Sequence, residues 1–120
     1  MCDALLDASE NDADVCIINS DYSRGSYPSG TITKADLLLL AQFPNNKSII
    51  TITGQGILDE LENGFSANVN DPIAYGPFPQ VSGMRVVYDL SRPVGRRVVN
   101  VAIKNNPIVP SFSYLSLIHI

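Results

Sequence analysis

The sequence predicts an α+β domain built on a mixed β-sheet with flanking helices. Three observations carry that class. A continuous apolar, largely β-branched run stands at Val15-Cys16-Ile17-Ile18, apolar helical stretches follow Thr33 and Gly54, and two apolar segments at 84–90 and 97–103 flank turn residues. In chain order the elements read helix, strand, helix, strand, helix, hairpin.

Ala4, Leu5, Leu6 and Ala8 form a short apolar stripe, which predicts a helix over 2–9. The polar stretch Glu10-Asn11-Asp12-Ala13-Asp14 then turns the chain into the apolar run, which has the unbroken apolar character of a buried strand. Residues 19–31 are rich in Asn, Ser, Asp, Gly and Pro and read as a loop leaving the strand end. Thr33 suits a helix N-cap, and Asp36 suits the positive end of the helix dipole. That helix is expected to stop near Phe43-Pro44, because the residue before proline avoids the helical region.

Ser48-Ile49-Ile50-Thr51-Ile52-Thr53 reads as a strand by its β-branched content. Residues 54–64 read as a helix with Ile57, Leu58, Leu61 and Phe65 facing the core. Residues 66–80 are expected to form a long loop. Met84–Leu90 and Arg97–Ile103 read as hairpin strands, with Arg92-Pro93-Val94-Gly95 supplying the turn.

Length and composition narrow the function. A chain of 120 residues fits one domain, and 45% apolar with 17% charged residues suits a folded, water-compatible molecule. The net charge is −4 and the eight basic residues are scattered, so no basic face for nucleic acid is visible. The longest apolar runs, such as Leu37 to Ala41, are far short of the roughly 20 residues of a membrane span. Met1–Asp7 has no basic n-region, does not read as a signal peptide, and looks like the interior of a helix, as if the chain began partway through a larger protein. Cys2 and Cys16 lack zinc-ligand spacing; buried thiols, a disulfide, or one of each remain open readings.

Catalytic chemistry is sparse. A two-metal phosphoesterase needs several Asp, His and Asn ligands, and the single histidine is His119. A serine triad would need that same histidine, and no G-x-S-x-G elbow exists. The acidic stretch Asp7, Glu10, Asp12, Asp14 lacks the glycine and glutamate of a calcium loop and reads as a solvated turn. Gly54-Gln55-Gly56 lacks the lysine and third glycine of a phosphate loop, so a plain strand-to-helix turn is favoured. Arg92, Arg96 and Arg97 read as a solvated hairpin tip, and Phe65 and Phe78 as packing residues.

Several stretches resemble one family. Ala13–Asn19 followed by Arg24, then Gly30-Thr31-Ile32-Thr33 with Asp36-Leu37, then Thr51-Ile52-Thr53-Gly54 with Leu61-Glu62, are similar to successive motifs of 5′-nucleotidase C-terminal domains. The most specific piece is Gly76-Pro77-Phe78-Pro79-Gln80-Val81-Ser82-Gly83, which resembles that family's Gly-x-Phe-Pro-Gln-Val-Ser-Gly signature. Tyr88-Asp89 and Pro93-x-Gly95-x-Arg97-Val98 follow it. The matches keep family order from about residue 2 to about residue 110, so residues 1–110 are expected to be a partial domain of this kind. Residues 111–120 are expected to be an apolar tail outside it, produced at a gene-model or sequencing edge.

The resemblance implies a two-domain parent. A metallophosphoesterase domain would hold two divalent metal ions, and this domain would present a nucleoside or nucleotide to it. Carried over by position, Asn19, Arg24 and Phe43 would bind substrate, and no catalytic or metal-binding residue would lie in this chain. Asn supplies a donor and an acceptor, Arg a planar fork for polar or anionic groups, and Phe a stacking face. The family's glycines after the Asn are replaced by Ser20, Asp21, Tyr22 and Ser23. Alone, the chain is expected to be catalytically silent, and family members are typically secreted, periplasmic or anchored at the cell surface. The rival reading is a non-catalytic binding or remnant protein with no metallophosphoesterase domain.

Overall fold

A computed structural model describes residues 1–10, 12–20, 29–40, 46–66 and 78–119, and its centre is β1 (Val15–Asn19). The first four residues of β1 are buried on both faces of the sheet, as an unbroken apolar run requires. Among the described residues four strands make this sheet: β2 (Lys47–Thr53), β7 (Ser113–His119), β1 and β3 (Pro79–Ser82), in that spatial order. β1 runs parallel to β7 and antiparallel to β3, while β2 is antiparallel to β7. The predicted mixed sheet is therefore present.

A second sheet orders β4 (Met84–Tyr88), β5 (Val98–Ile103) and β6 (Asn106–Pro107). β4 and β5 form the predicted hairpin, with Gly95 at φ +83° in its connection. Lys104 and Asn105, both at positive φ, turn the chain from β5 into β6, which the sequence reading does not include.

Among the described residues three helices accompany the sheets. α1 (Cys2–Asp7) lies on one face of the larger sheet, where Cys2, Cys16, Ile18 and Leu117 are buried together with Leu5 and Leu6 packed on them. α3 (Gly54–Gly64) serves the opposite face. Its Ile57 and Leu61 are fully buried, and they join Val15 and Ile17 of β1 and Val101 and Ile103 of β5 in the main core. α2 (Lys34–Leu40) begins as read: Thr33 Oγ1 accepts the Asp36 N–H at 3.3 Å, and Asp36 Oδ2 accepts the Thr33 N–H at 2.8 Å. Leu37, Leu38 and Leu39 of this helix are more than half exposed. Its expected stop at Phe43-Pro44 lies outside the described residues.

Two expectations are corrected. The loop expected over 66–80 ends in β3, a strand too short to show a period and headed by proline. Proline is tolerated because β3 is an edge of the sheet among the described residues, where a ladder donor is dispensable. The tail expected from residue 111 is instead β7, which lies between β2 and β1 with Ser116 and Leu117 buried. Its partners are about 65 and 100 residues away in sequence (Ile50↔Ser116, Cys16↔Leu117), so nothing local announces the pairing.

Candidate functional site

Asn19 is the last residue of β1 and is exposed, with Pro79 of β3 as its register partner. The chain beyond it is held by a small hydrogen-bond set. The Ser20 N–H and the Ser20 hydroxyl both donate to the Phe78 carbonyl, at 2.9 and 2.8 Å. Gln80 Nε2 donates to Ser20 Oγ at 3.2 Å. Phe78 and Gln80 thus hold Ser20, the residue that follows β1, while Pro79 is the register partner of Asn19. Sequence reading assigns no such role to Ser20 or Gln80, because the contact joins residues 60 apart.

The same stretch continues the support. Gln80, Val81 and Ser82 pair with Ile18, Ile17 and Cys16. The Ser82 hydroxyl donates to the Asp3 carboxylate, tying α1 to β3. Gly83 then turns at φ +75°, and a Cβ there would overlap the Asp14 carbonyl oxygen, so this position takes only glycine without rearrangement. The described signature-like residues, 78–83, are scaffolding for the end of β1.

Asn19 borders a cavity of about 350 Å³ on the α3 side of the sheet. Ile17, Ile50, Ile52, Pro79 and Ile118 supply apolar walls, and Glu60 and Ser116 supply polar groups. Ser116 is 1% exposed, and among the described residues its hydroxyl has no hydrogen-bond partner. Among the described lining residues there is no Lys or Arg.

Arg24 and Phe43, the other two residues expected at the substrate, lie outside the described residues. His119 closes β7 opposite Lys47. Among the described residues no three His, Cys, Asp or Glu side chains converge as metal ligands would. The start of α3 is also occupied. Thr53 Oγ1 accepts the Gly56 N–H at 3.1 Å, and the carbonyls of Phe112 and Pro110 accept the Gly54 and Gln55 N–H groups at 2.8 and 2.9 Å. Those donors are consumed internally, which agrees with the plain strand-to-helix turn read for Gly54-Gln55-Gly56.

Phe65, Phe78 and Tyr88 form an aromatic cluster beneath this end of the molecule. Phe65 stacks on Tyr88 at 4.3 Å between centroids and meets Phe78 edge-on at 5.3 Å. Phe65 is buried and Phe78 half-buried, as packing residues should be.

Comparison with known proteins covers nearly the whole chain. The family model "5′-nucleotidase, C-terminal domain" matches residues 1–118. The trifunctional nucleotide phosphoesterase protein YfkN of Bacillus subtilis is 33% identical over 78% of this chain and 6% of its own length. The 5′-nucleotidase of Bos taurus is 29% identical over 98% of this chain and 22% of its own. The crystal structure of a 5′-nucleotidase precursor from Thermus thermophilus superposes with a TM-score of 0.89 and 33% identity, covering 98% of this chain and 24% of that one. The chain therefore spans a quarter or less of each of these relatives.

Proposed function

Because this chain belongs to the family of 5′-nucleotidase C-terminal domains, we propose that it recognises the nucleoside part of a nucleoside phosphate on behalf of a metal-dependent phosphomonoester hydrolase. Bond cleavage is assigned to a metallophosphoesterase domain outside this sequence, together with the two divalent cations that such a domain would carry. This chain's contribution is orientation: a bound, aligned substrate reacts far faster than a free one.

The observation that carries this reading is the setting of Asn19. Its amide stands at the mouth of β1 beside an apolar-walled cavity, on a backbone pinned by Ser20, Phe78 and Gln80. Asn19 would hydrogen-bond the nucleoside, Arg24 would pair with its polar or anionic groups, and Phe43 would stack on the base. An apolar-walled slot with the Asn19 amide, Glu60 and Ser116 as its polar groups can receive a nucleobase and ribose.

Isothermal titration calorimetry with adenosine and with AMP tests the reading. The 120-residue chain is expected to bind both, and Asn19→Ala and Arg24→Ala are each expected to weaken binding roughly 10-fold or more. Absence of heat from the parent chain with both ligands, or equal affinity in parent and variants, would overturn the assignment.

A further inference from the structure

In β7 the side chains of Tyr114, Ser116 and Ile118 alternate onto the face of the larger sheet that is turned toward α3. Ser116 stands opposite Ile50 of β2 and Val15 of β1 in register, so these three side chains share that face. The strand pattern calls for an apolar side chain at this position, and the chain places a hydroxyl there. Ser116 is buried, and among the described residues its Oγ has no hydrogen-bond partner. β7 is flanked by a strand on each side, so the backbone groups around Ser116 are engaged in two ladders. A hydroxyl so placed weakens the sheet unless something meets it from the open side. The open side is the cavity of about 350 Å³ that Ser116 lines together with Asn19.

We infer that Ser116 is a specificity-determining contact: its hydroxyl hydrogen-bonds an edge atom of the nucleobase that enters this cavity. The inference rests on the nucleoside reading above and adds which part of the ligand goes in and what reads it. Ile17, Ile50, Ile52 and Ile118 supply apolar walls for the flat faces of a ring. Glu60, exposed on α3 and lining the same cavity, carries a carboxylate that accepts hydrogen bonds and repels an anion. The neutral base therefore enters, and the phosphate stays outside. Asn19 is exposed at the end of β1, whereas Ser116 is buried at the middle of β7. The amide accordingly meets the ligand at the rim and the hydroxyl meets it inside. A hydroxyl both donates and accepts, so it can pair with a ring nitrogen, a ring carbonyl or an exocyclic amine. It selects any base that offers such an atom against a ring of the same shape that offers none, because the latter leaves the buried hydroxyl unmatched.

Isothermal titration calorimetry of the 120-residue chain compares adenosine with the riboside of indole, which keeps the two-ring shape and loses every hydrogen-bonding atom of the base. The parent is expected to prefer adenosine by roughly 10-fold or more, and Ser116→Ala to lose about 10-fold of that preference while holding its affinity for the indole riboside. Thermal melting of the ligand-free proteins gives a second readout. A hydroxyl that awaits a ligand is unmatched in the free chain, so Ser116→Ala should melt no lower than the parent. A variant that melts well below the parent, or fails to fold, would show the hydroxyl to be a support of the strand and would overturn the inference. An unchanged preference for adenosine in Ser116→Ala would mean that water alone meets the hydroxyl; Ser116 would then lose its role while the nucleoside reading stood. A parent chain silent toward adenosine would remove both.

Discussion

Asp14 serves two elements at once. Its Oδ1 accepts from Lys104 Nζ at 2.6 Å, beyond the end of β5, and its Oδ2 accepts the Leu115 N–H of β7 at 3.0 Å. The Asp14 N–H in turn donates to the Leu115 carbonyl at 2.7 Å, so one residue closes both sides of the β1–β7 junction. The Leu115 backbone N–H, and then Lys104, hold its carboxyl below the usual aspartate value. The folded chain therefore binds fewer protons here than the unfolded one, whose aspartates titrate near 3.9. The resulting stabilisation is present above about pH 4 and is lost as pH falls through the depressed folded-state value. Asp14→Asn should cost roughly 1–2 kcal/mol at neutral pH. Melting curves followed by circular dichroism from pH 7 to pH 2 should show a shallower acid decline in the variant. A variant profile parallel to that of the parent would show that Asp14 is not the titrating group. From sequence, Asp14 reads only as part of a solvated acidic turn, because Lys104 and Leu115 lie 90 and 101 residues away.

At the scale of elements, α3 shows what local sequence can and cannot convey. Its start is legible: Thr53 caps the first turn as a β-region hydroxyl residue should, and Ile57, Leu61 and Phe65 fall at core spacing. What the 3.6-residue period does not convey is the role of Gly54. A Cβ at this position would overlap the Val109 carbonyl oxygen and crowd Pro110, because 109–112 folds over the helix start to accept its free N–H groups. Gly54→Ala should therefore destabilise by about 2–3 kcal/mol despite alanine's better helix propensity, whereas Thr53→Ala should cost about 1 kcal/mol. Urea denaturation of both variants measures the order; a Gly54→Ala variant as stable as the parent would mean that 109–112 does not cover the helix start. Glu62 extends the same logic to the other end. Its two oxygens accept the Arg97 and Val98 N–H groups at 2.9 and 2.7 Å, and Arg97 reaches the Phe65 carbonyl, so the start of β5 is anchored on α3. Arg97 reads from sequence as a solvated hairpin tip; it is instead a half-buried tie, since its partners sit 32 and 35 residues upstream. Glu62→Ala should loosen this junction, with amide exchange accelerating first at Arg97 and Val98.

The whole molecule depends on a strand that the chain supplies last. In the order β2, β7, β1, β3, removing β7 leaves β2 without a partner among the described strands and opens one edge of β1. It also uncovers both faces of the sheet. Ser116 and Leu117 lie on opposite faces, Leu117 in the cluster under α1, while Tyr114 packs against the core beneath α3. The main core alone would keep Ile57, Leu61, Phe65, Val101 and Ile103, but Val15 and Ile17 of β1 would border solvent. The parallel pairing of β1 with β7 joins residues about 100 apart, a contact with a large loop-closure cost. Sequence patterns set by neighbours thus reveal β1, β2, the described helices and the β4–β5 hairpin. β3 and β7 are defined by partners far along the chain and stay hidden from those patterns. The same distance limits the site, since Asn19 is legible by position while the Ser20–Phe78–Gln80 support for it is not. A chain ending at residue 110 is accordingly expected to lose cooperative unfolding altogether, rather than to fold as a slightly weaker domain. It would also forfeit the Gly54–Phe112 hydrogen bond at the start of α3. Dispersed amide resonances and a sharp thermal transition in the 1–110 fragment would contradict this, because a sheet without its central parallel pair would then be sufficient to hold β1 and the cavity beside Asn19.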